Sequence, residues 1–249
     1  MHTTIAFTQE PAVTTEEFIA GVADDTHRVS GDDIYIGKRN QVIAMFGGGH
    51  SMQTMRLVSP SLRRFMTPYI HPYLSMAADA YFLATPVEMC RNPIPLESNE
   101  ALNAKGTVSE VHATIDNFVG VSLADGPIAR VNGDIRTMVM EANITATQKT
   151  WVASDITLAQ DLPVGRYAIV GAACRSNYTG VFRLIGVGQD NRPGGMVTAG
   201  SDVIDTTNQR FGNMGVWMEF DQINPPRIEM CLNVTGSWYS LKLDLMRVG

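Results

Sequence analysis

The chain has 249 residues, of which 45% are hydrophobic and 18% charged, and it carries a formal net charge of -6. That is enough for one large β domain or two of roughly 125 residues, with a composition that excludes disordered and fibrous classes. The acidic balance disfavours a broad nucleic-acid surface, which needs clustered Lys and Arg, and no apolar run approaches the ~18 residues of a membrane span.

Met1 to Glu10 lacks the basic flank and apolar run of a signal peptide, so the expectation is a soluble chain not exported by the standard route. Met1 to Asp25 holds Glu10, Glu16, Glu17, Asp24 and Asp25 and no Lys or Arg, so this stretch offers no basic arm for nucleic acid. Thr14 and Glu17, ahead of Phe18, Ile19 and Val22, have the spacing of a capping box, which predicts a short helix over 15–24. From Ile34 onward the pattern becomes short alternating or apolar runs broken by Gly, Pro, Asn and Asp, the grammar of strands.

Strands are predicted over 41–46, 53–58, 108–115, 137–142, 151–158, 167–172, 181–187, 215–220 and 227–234. At the C-terminus Tyr239, Leu241, Leu243 and Leu245 share one face while Lys242, Asp244 and Met246 share the other, a strand with one side buried. A second helix candidate, 74–83 with Ala77, Ala78 and Ala80, lies between Pro72 and Pro86. Short strands with almost no helical periodicity predict an all-β fold of antiparallel sandwiches.

An internal repeat organises these strands. Arg39 to Leu57 and Arg166 to Leu184 both open on Arg, run through an apolar stretch and a small or polar turn, and close on Arg-Leu at one ungapped offset of 127, from Arg39 to Arg166 and from Arg56 to Arg183. A second match pairs Leu102 to Gly106 with Leu232 to Gly236 at an offset of 130, which sets Val111, Ala113 and Ile115 against Leu241, Leu243 and Leu245. Asn92-Pro93 and Asn224-Pro225 form the turns before these matches. The repeat predicts two units, 1–126 and 127–249, meeting at the turn Asp125-Gly126-Pro127.

The segments 56–63, 161–167, 192–195 and 215–220 look similar to capsid proteins of small tailless phages, and the tandem sandwiches resemble double jelly-roll major capsid proteins of tailless icosahedral viruses and phages. At about 125 residues per unit the chain is short for that family, with little room for tower-like loops, and a single elaborated jelly roll is the alternative form. The resemblance implies a structural, non-enzymatic protein that self-assembles as homotrimers of pseudo-hexagonal outline into a virion shell. It also implies synthesis in the host cytoplasm and contacts with other virion proteins, with a membrane beneath the shell as a possible further partner. Lattice contacts of this kind favour Met and aromatic residues; most of the 14 Met are nonetheless read as core filling.

The sequence assigns no catalytic, cofactor-binding or metal-binding set. His2, His27, His50, His71 and His112 are scattered, with no metal-ligand spacing, and His112 is read as facing solvent. Cys90, Cys174 and Cys231 are read as buried thiols without a disulfide framework. Gly47-Gly48-Gly49 reads as a hairpin turn needing positive φ rather than a phosphate cradle, and Asp24-Asp25 and Asp32-Asp33 as solvated turns rather than calcium ligands. Asn143, Asn177 and Asn233 head glycosylation acceptors that matter only on secretion. Trp151, Trp217 and Trp238 are read as core residues, although a sugar platform in a carbohydrate- or receptor-binding sandwich is the alternative function; an enzyme on a β-barrel is the weakest.

Overall fold

The computed structural model describes residues 2–9, 15–49, 52–62, 69–70, 86–108, 116–158, 162–199 and 209–248. Among them the chain is built of strands, with no α-helix.

The first half forms two sheets. One contains β1 (His2–Gln9), β11 (Asn117–Ala124), β5 (Gln41–Gly48) and β8 (Val87–Glu88) in that order, with β9 (Ile94–Pro95) also on β5. The other runs β3 (Val29–Ser30), β4 (Asp33–Tyr35), β10 (Ala101–Val108), β6 (Met52–Val58) and β7 (Tyr69–Ile70), with β2 (Glu17–Ile19) on β10. Alternate residues of both sheets meet in a core that includes Ile5, Phe7, Met45, Leu57, Leu102 and Val121. Each such side chain contributes about 1.5–3 kcal/mol relative to exposure.

The second half repeats this order. β12 (Ile135–Ala146), β19 (Gly236–Arg247), β14 (Arg166–Ser176) and β17 (Met218–Asp221) stand where β1, β11, β5 and β8 stand in the first. β13 (Val152–Asp155), β18 (Arg227–Leu232), β15 (Gly180–Ile185) and β16 (Gly194–Ala199) likewise match β2, β10, β6 and β7. A short parallel pairing, Cys174 to Ser176 with Val197 to Ala199, links the two faces into one continuous sheet. The chain is therefore two antiparallel jelly-roll sandwiches in tandem.

The correspondence holds at the level of single residues. In the first sandwich Ser122 faces Ala44 and Leu123 faces Val42, which leaves Ile43 as a bulge. In the second, Asp244 faces Gly171 and Leu245 faces Ile169, which leaves Val170 as the bulge. Residues 43 and 170 stand 127 apart, the offset read from Arg39 to Arg166, and the same offset carries Leu57 onto Leu184, both fully buried. A bulge re-aims the strand that bears it, so its recurrence at one position means that both sandwiches bend alike there.

The second sequence match is corrected. Leu57 faces Ala104 and Leu184 faces Ile228, so β10 maps onto β18 at an offset of 124, not 130. The residues equivalent to Leu241, Leu243 and Leu245 are Val119, Val121 and Leu123, which occupy the same rungs opposite β5 and β14. The physical cause is that the two like-looking segments are not equivalent: Leu102 to Gly106 lie within β10, whereas Leu232 to Gly236 span the turn from the end of β18 to the start of β19. Val111, Ala113, Ile115 and His112 lie outside the described residues, as does the helix candidate over 74–83.

The helix expected over 15–24 is also corrected. Glu17, Phe18 and Ile19 pair with Gly106, Lys105 and Ala104 of β10, and Glu16 is held by Arg56. Ladder hydrogen bonds and this ion pair override the local capping signal, and Phe18 and Ile19 alternate outward and inward as a strand requires. Of the three consecutive glycines, Gly47 and Gly48 belong to β5 and only Gly49, with φ +127°, leaves the extended region. Gly120 is required for another reason, since the Phe46 ring facing it across the ladder occupies the space of a Cβ.

Candidate functional site

The two sandwiches share a buried seam, and a cluster of buried charged groups is gathered there. It forms because two sheets have apolar residues on both faces. The outward residues of β1, β5 and β11, namely Ala6, Phe46 and Phe118, pack with Val22 against Val181 of β15, Met196 of β16 and Cys231 of β18. Trp151, half-buried, closes this layer. The first sandwich thus presents one kind of face and the second presents the other kind.

Arg183 stands at the centre, 1% exposed at its side chain. Its Nε donates to Glu229 at 2.5 Å, its Nη1 donates to Asp24 of the first sandwich at 2.9 Å, and its guanidinium lies 4.1 Å over the Trp151 ring. Asp24 also accepts from the backbone N–H groups of Thr26 and His27, both at 2.6 Å, and meets His27 Nδ1 at 3.0 Å. Burial pushes the Asp24 carboxyl up, but the His27 hydrogen bond and the Arg183 charge outweigh it and hold the group well below the usual carboxylate range. The reading of Asp24 as a solvated turn residue is corrected: its side chain is 1% exposed because Arg183 needs a buried counter-charge.

A second set of polar contacts ties the strap 189–192 to the edge of β1. Thr4 N–H donates to the Arg192 carbonyl at 2.7 Å, Arg192 N–H donates to Thr3 Oγ1 at 2.9 Å, and Arg39 donates to Thr3 Oγ1 and to Asn191 Oδ1 at 2.8 Å. The strap covers backbone groups that a free edge strand would leave open. His2, wholly buried nearby, packs edge-on against Trp217 with ring centroids 5.2 Å apart. Burial, aided by the Arg39 charge, lowers its pKa to about 3. At the far end, Asp116 N–H donates to the Asn233 carbonyl, and Lys149 lies 3.3 Å from the Asp116 carboxylate.

A further buried pair pins residues 210–211 to β19. Arg210 Nε donates to Asp244 at 2.6 Å, and Phe211 N–H and Thr137 Oγ1 donate to the same carboxylate. Asp244, expected on the open face of the last strand, is 0% exposed for this reason.

Other residues singled out in the sequence fall elsewhere. Cys174 and Cys231 are buried, Cys90 is half-buried, and all three are free thiols. Burial pushes the Cys231 thiol up to about 12 and the other two higher, so none is a ready thiolate. Trp217 is buried and stacks on Phe182, while Trp238 is half-buried with Arg175 5.5 Å over its ring. Among the described residues no group of three or more His, Cys, Asp or Glu is placed to hold a metal ion.

Sequence reasoning did not find the seam. It missed β1, β11 and β16, which carry much of it. Phe118, Val119, Val121, Leu123 and Ala124, interrupted only by the small Gly120 and Ser122, lie between Asp116 and Asp125-Gly126, the signature of a strand covered on both faces. Thr3 and Thr4 conceal β1, although Ile5 and Phe7 alternate correctly.

No protein-family model matches the chain, and no curated protein does. Among solved structures, the chain is similar to the major capsid protein of bacteriophage PM2, at 9% identity over 100% of this chain and 98% of that one, with a TM-score of 0.26. It is similar to the STIV MCP at 9% identity over 99% and 97% of the two chains, with a TM-score of 0.24. It is also similar to a Paenibacillus xanthan lyase at 10% identity and a TM-score of 0.24, where it spans a quarter of the longer chain.

Proposed function

We propose that this chain is a shell-forming major capsid protein, with residues 1–126 and 127–249 as its two sandwich units, that assembles as pseudo-hexagonal trimers into the shell of a virus or phage. One observation carries the reading: eight strands of the first sandwich recur in the same order in the second, down to the bulges at Ile43 and Val170, and the two are locked together by a buried seam. A rigid pair of like units gives a trimer six similar sides, which is the geometry that tiling a flat facet requires. The role is structural rather than catalytic, its partners are copies of itself and other virion proteins, and its place is the virion.

The test is the mass of the purified protein by light scattering, followed by electron microscopy of any large species. Trimers that convert to closed particles are the expected result. A chain that stays single at all concentrations and salt conditions overturns the proposal, and glycan-array binding by that single chain would replace it with the sugar-binding reading.

A further inference from the structure

The second sandwich is open at one end where the first is closed. On the inward faces of β12 and β19, Arg136 stands opposite Leu245 and Met138 opposite Leu243, and Tyr167 of β14 stands opposite Arg247 on the same side. Met138, Tyr167 and Leu245 are buried, whereas the Arg136 side chain is 83% exposed. Together with Leu162 of the loop before β14 they line a cleft of about 630 Å³ that runs from solvent to the edge of the core. That is within the roughly 300–1,000 Å³ of small-molecule sites. The equivalent rungs of the first sandwich hold Thr3 and Ile5, both fully buried, and the strap 189–192 closes over Thr3.

The cleft is held open by its own walls. Tyr167 Oη donates to the Pro163 carbonyl at 2.7 Å and Arg247 donates to the Val164 carbonyl at 3.0 Å, so the loop is tied to the sheet. The floor is apolar. The mouth carries two guanidinium groups on neighbouring rungs against one carboxylate, that of Asp134, which is 81% exposed and 3.4 Å from Arg136. Two packed sheets lie only about 10 Å apart, so the end of the space between them suits a flexible chain better than a broad ring. We propose that this cleft binds a single-chain amphiphile with an anionic head, a fatty-acid-like carboxylate, whose tail lies on Met138, Leu162, Tyr167 and Leu245 and whose head is held by Arg136 beside Arg247. Arg136 then gives up an exposed contact with Asp134 for a charge-assisted pair with the ligand, a planar fork against a planar carboxylate. The unbranched thioether of Met138 lets the floor adapt to the tail. The site belongs to the single chain and does not depend on assembly.

The experiment titrates the full-length protein, by calorimetry, with dodecanoate below its micelle concentration. Two further probes are dodecyltrimethylammonium, with a like tail and a positive head, and butanoate, with the same head and little tail. Wild type is expected to take up one equivalent of dodecanoate, none of the cation, and butanoate more than about a hundredfold more weakly. Arg136→Glu alters an exposed side chain, so it is expected to melt with wild type, to weaken dodecanoate binding about tenfold or more, and to bind the cation instead. Wild type that takes up no dodecanoate, takes up several equivalents, or binds the cation or butanoate as well overturns the inference. So does an Arg136→Glu chain that binds dodecanoate like wild type.

Discussion

Arg56 and Arg183 occupy one position in the repeat, one in each sandwich, and both are buried against carboxylates, yet they do different work. Arg56 is held by Glu16 of its own sandwich, whose side chain is 23% exposed. Arg183 is held by Glu229 beside it and by Asp24 across the seam, whose side chain is 1% exposed. The same residue at the same rung stabilises a strand edge in one case and joins two sandwiches in the other. What differs is whether a second sheet covers the face.

This contrast gives the largest expected effect. Arg183→Ala leaves Asp24 and Glu229 facing a desolvated gap, and removing one partner of a buried pair costs about 3–5 kcal/mol. Arg56→Ala frees a carboxylate that water can reach, and its loss is set by charge-assisted hydrogen bonds, about 1.5–3 kcal/mol. Urea denaturation of both variants measures the difference. Equal losses would mean that the seam adds nothing to the Arg183 site.

The seam also imposes a pH dependence on the first sandwich that the second lacks. His2 is buried in the neutral form with its pKa lowered to about 3, from an ordinary value of 6.5, and the rung equivalent to it on β12 is Ile135. Between those values the unfolded chain takes up a proton that the folded chain refuses, so stability falls as pH is lowered from 6.5 toward 3. The slope is at most ~1.4 kcal/mol per pH unit, or roughly 2 kcal/mol lost at pH 5. His2→Phe keeps the packing on Trp217 and is expected to remove this slope. Asp24 acts in a separate window: its depressed carboxyl adds stability that is complete above its ordinary value of 3.8 and is lost only as pH falls below it. Urea melts at pH 7, 5 and 4 separate the two, and an unchanged slope in His2→Phe would remove His2 from the account.

Much of the architecture was legible in the sequence. The alternation at Tyr239 to Leu245, the Arg-Leu register at 127 and the density of turn residues all follow from a side-chain period of two, which a single chain displays directly. The seam was not legible, because it is made by pairs distant in sequence: Asp24 with Arg183, Thr4 with Arg192, Phe46 with Met196. A buried acid in a turn looks the same as a solvated one until its counter-charge is placed. For the same reason Asp244 read as an open-face residue. The 130 offset failed because it matched residues of a strand, Leu102 to Gly106, with residues of a turn, Leu232 to Gly236.

The smallest expected effect sharpens the comparison of covered and open faces. Ala6 and Val139 share a rung of the repeat, but Ala6 is 1% exposed and Val139 47%. A charge placed at Ala6 must be buried beneath Val181 and its neighbours, so Ala6→Arg is expected to unfold the chain or separate its halves. In the single chain Val139 is about half exposed, so the longer side chain of Val139→Arg can reach solvent, and surface changes of this kind stay within about 0.5 kcal/mol. Thermal melts should therefore show Val139→Arg melting with wild type and Ala6→Arg far below it. If the two variants fall alike, the rung at Val139 is as closed as the rung at Ala6, and the likeness between the two sandwiches extends beyond their folds.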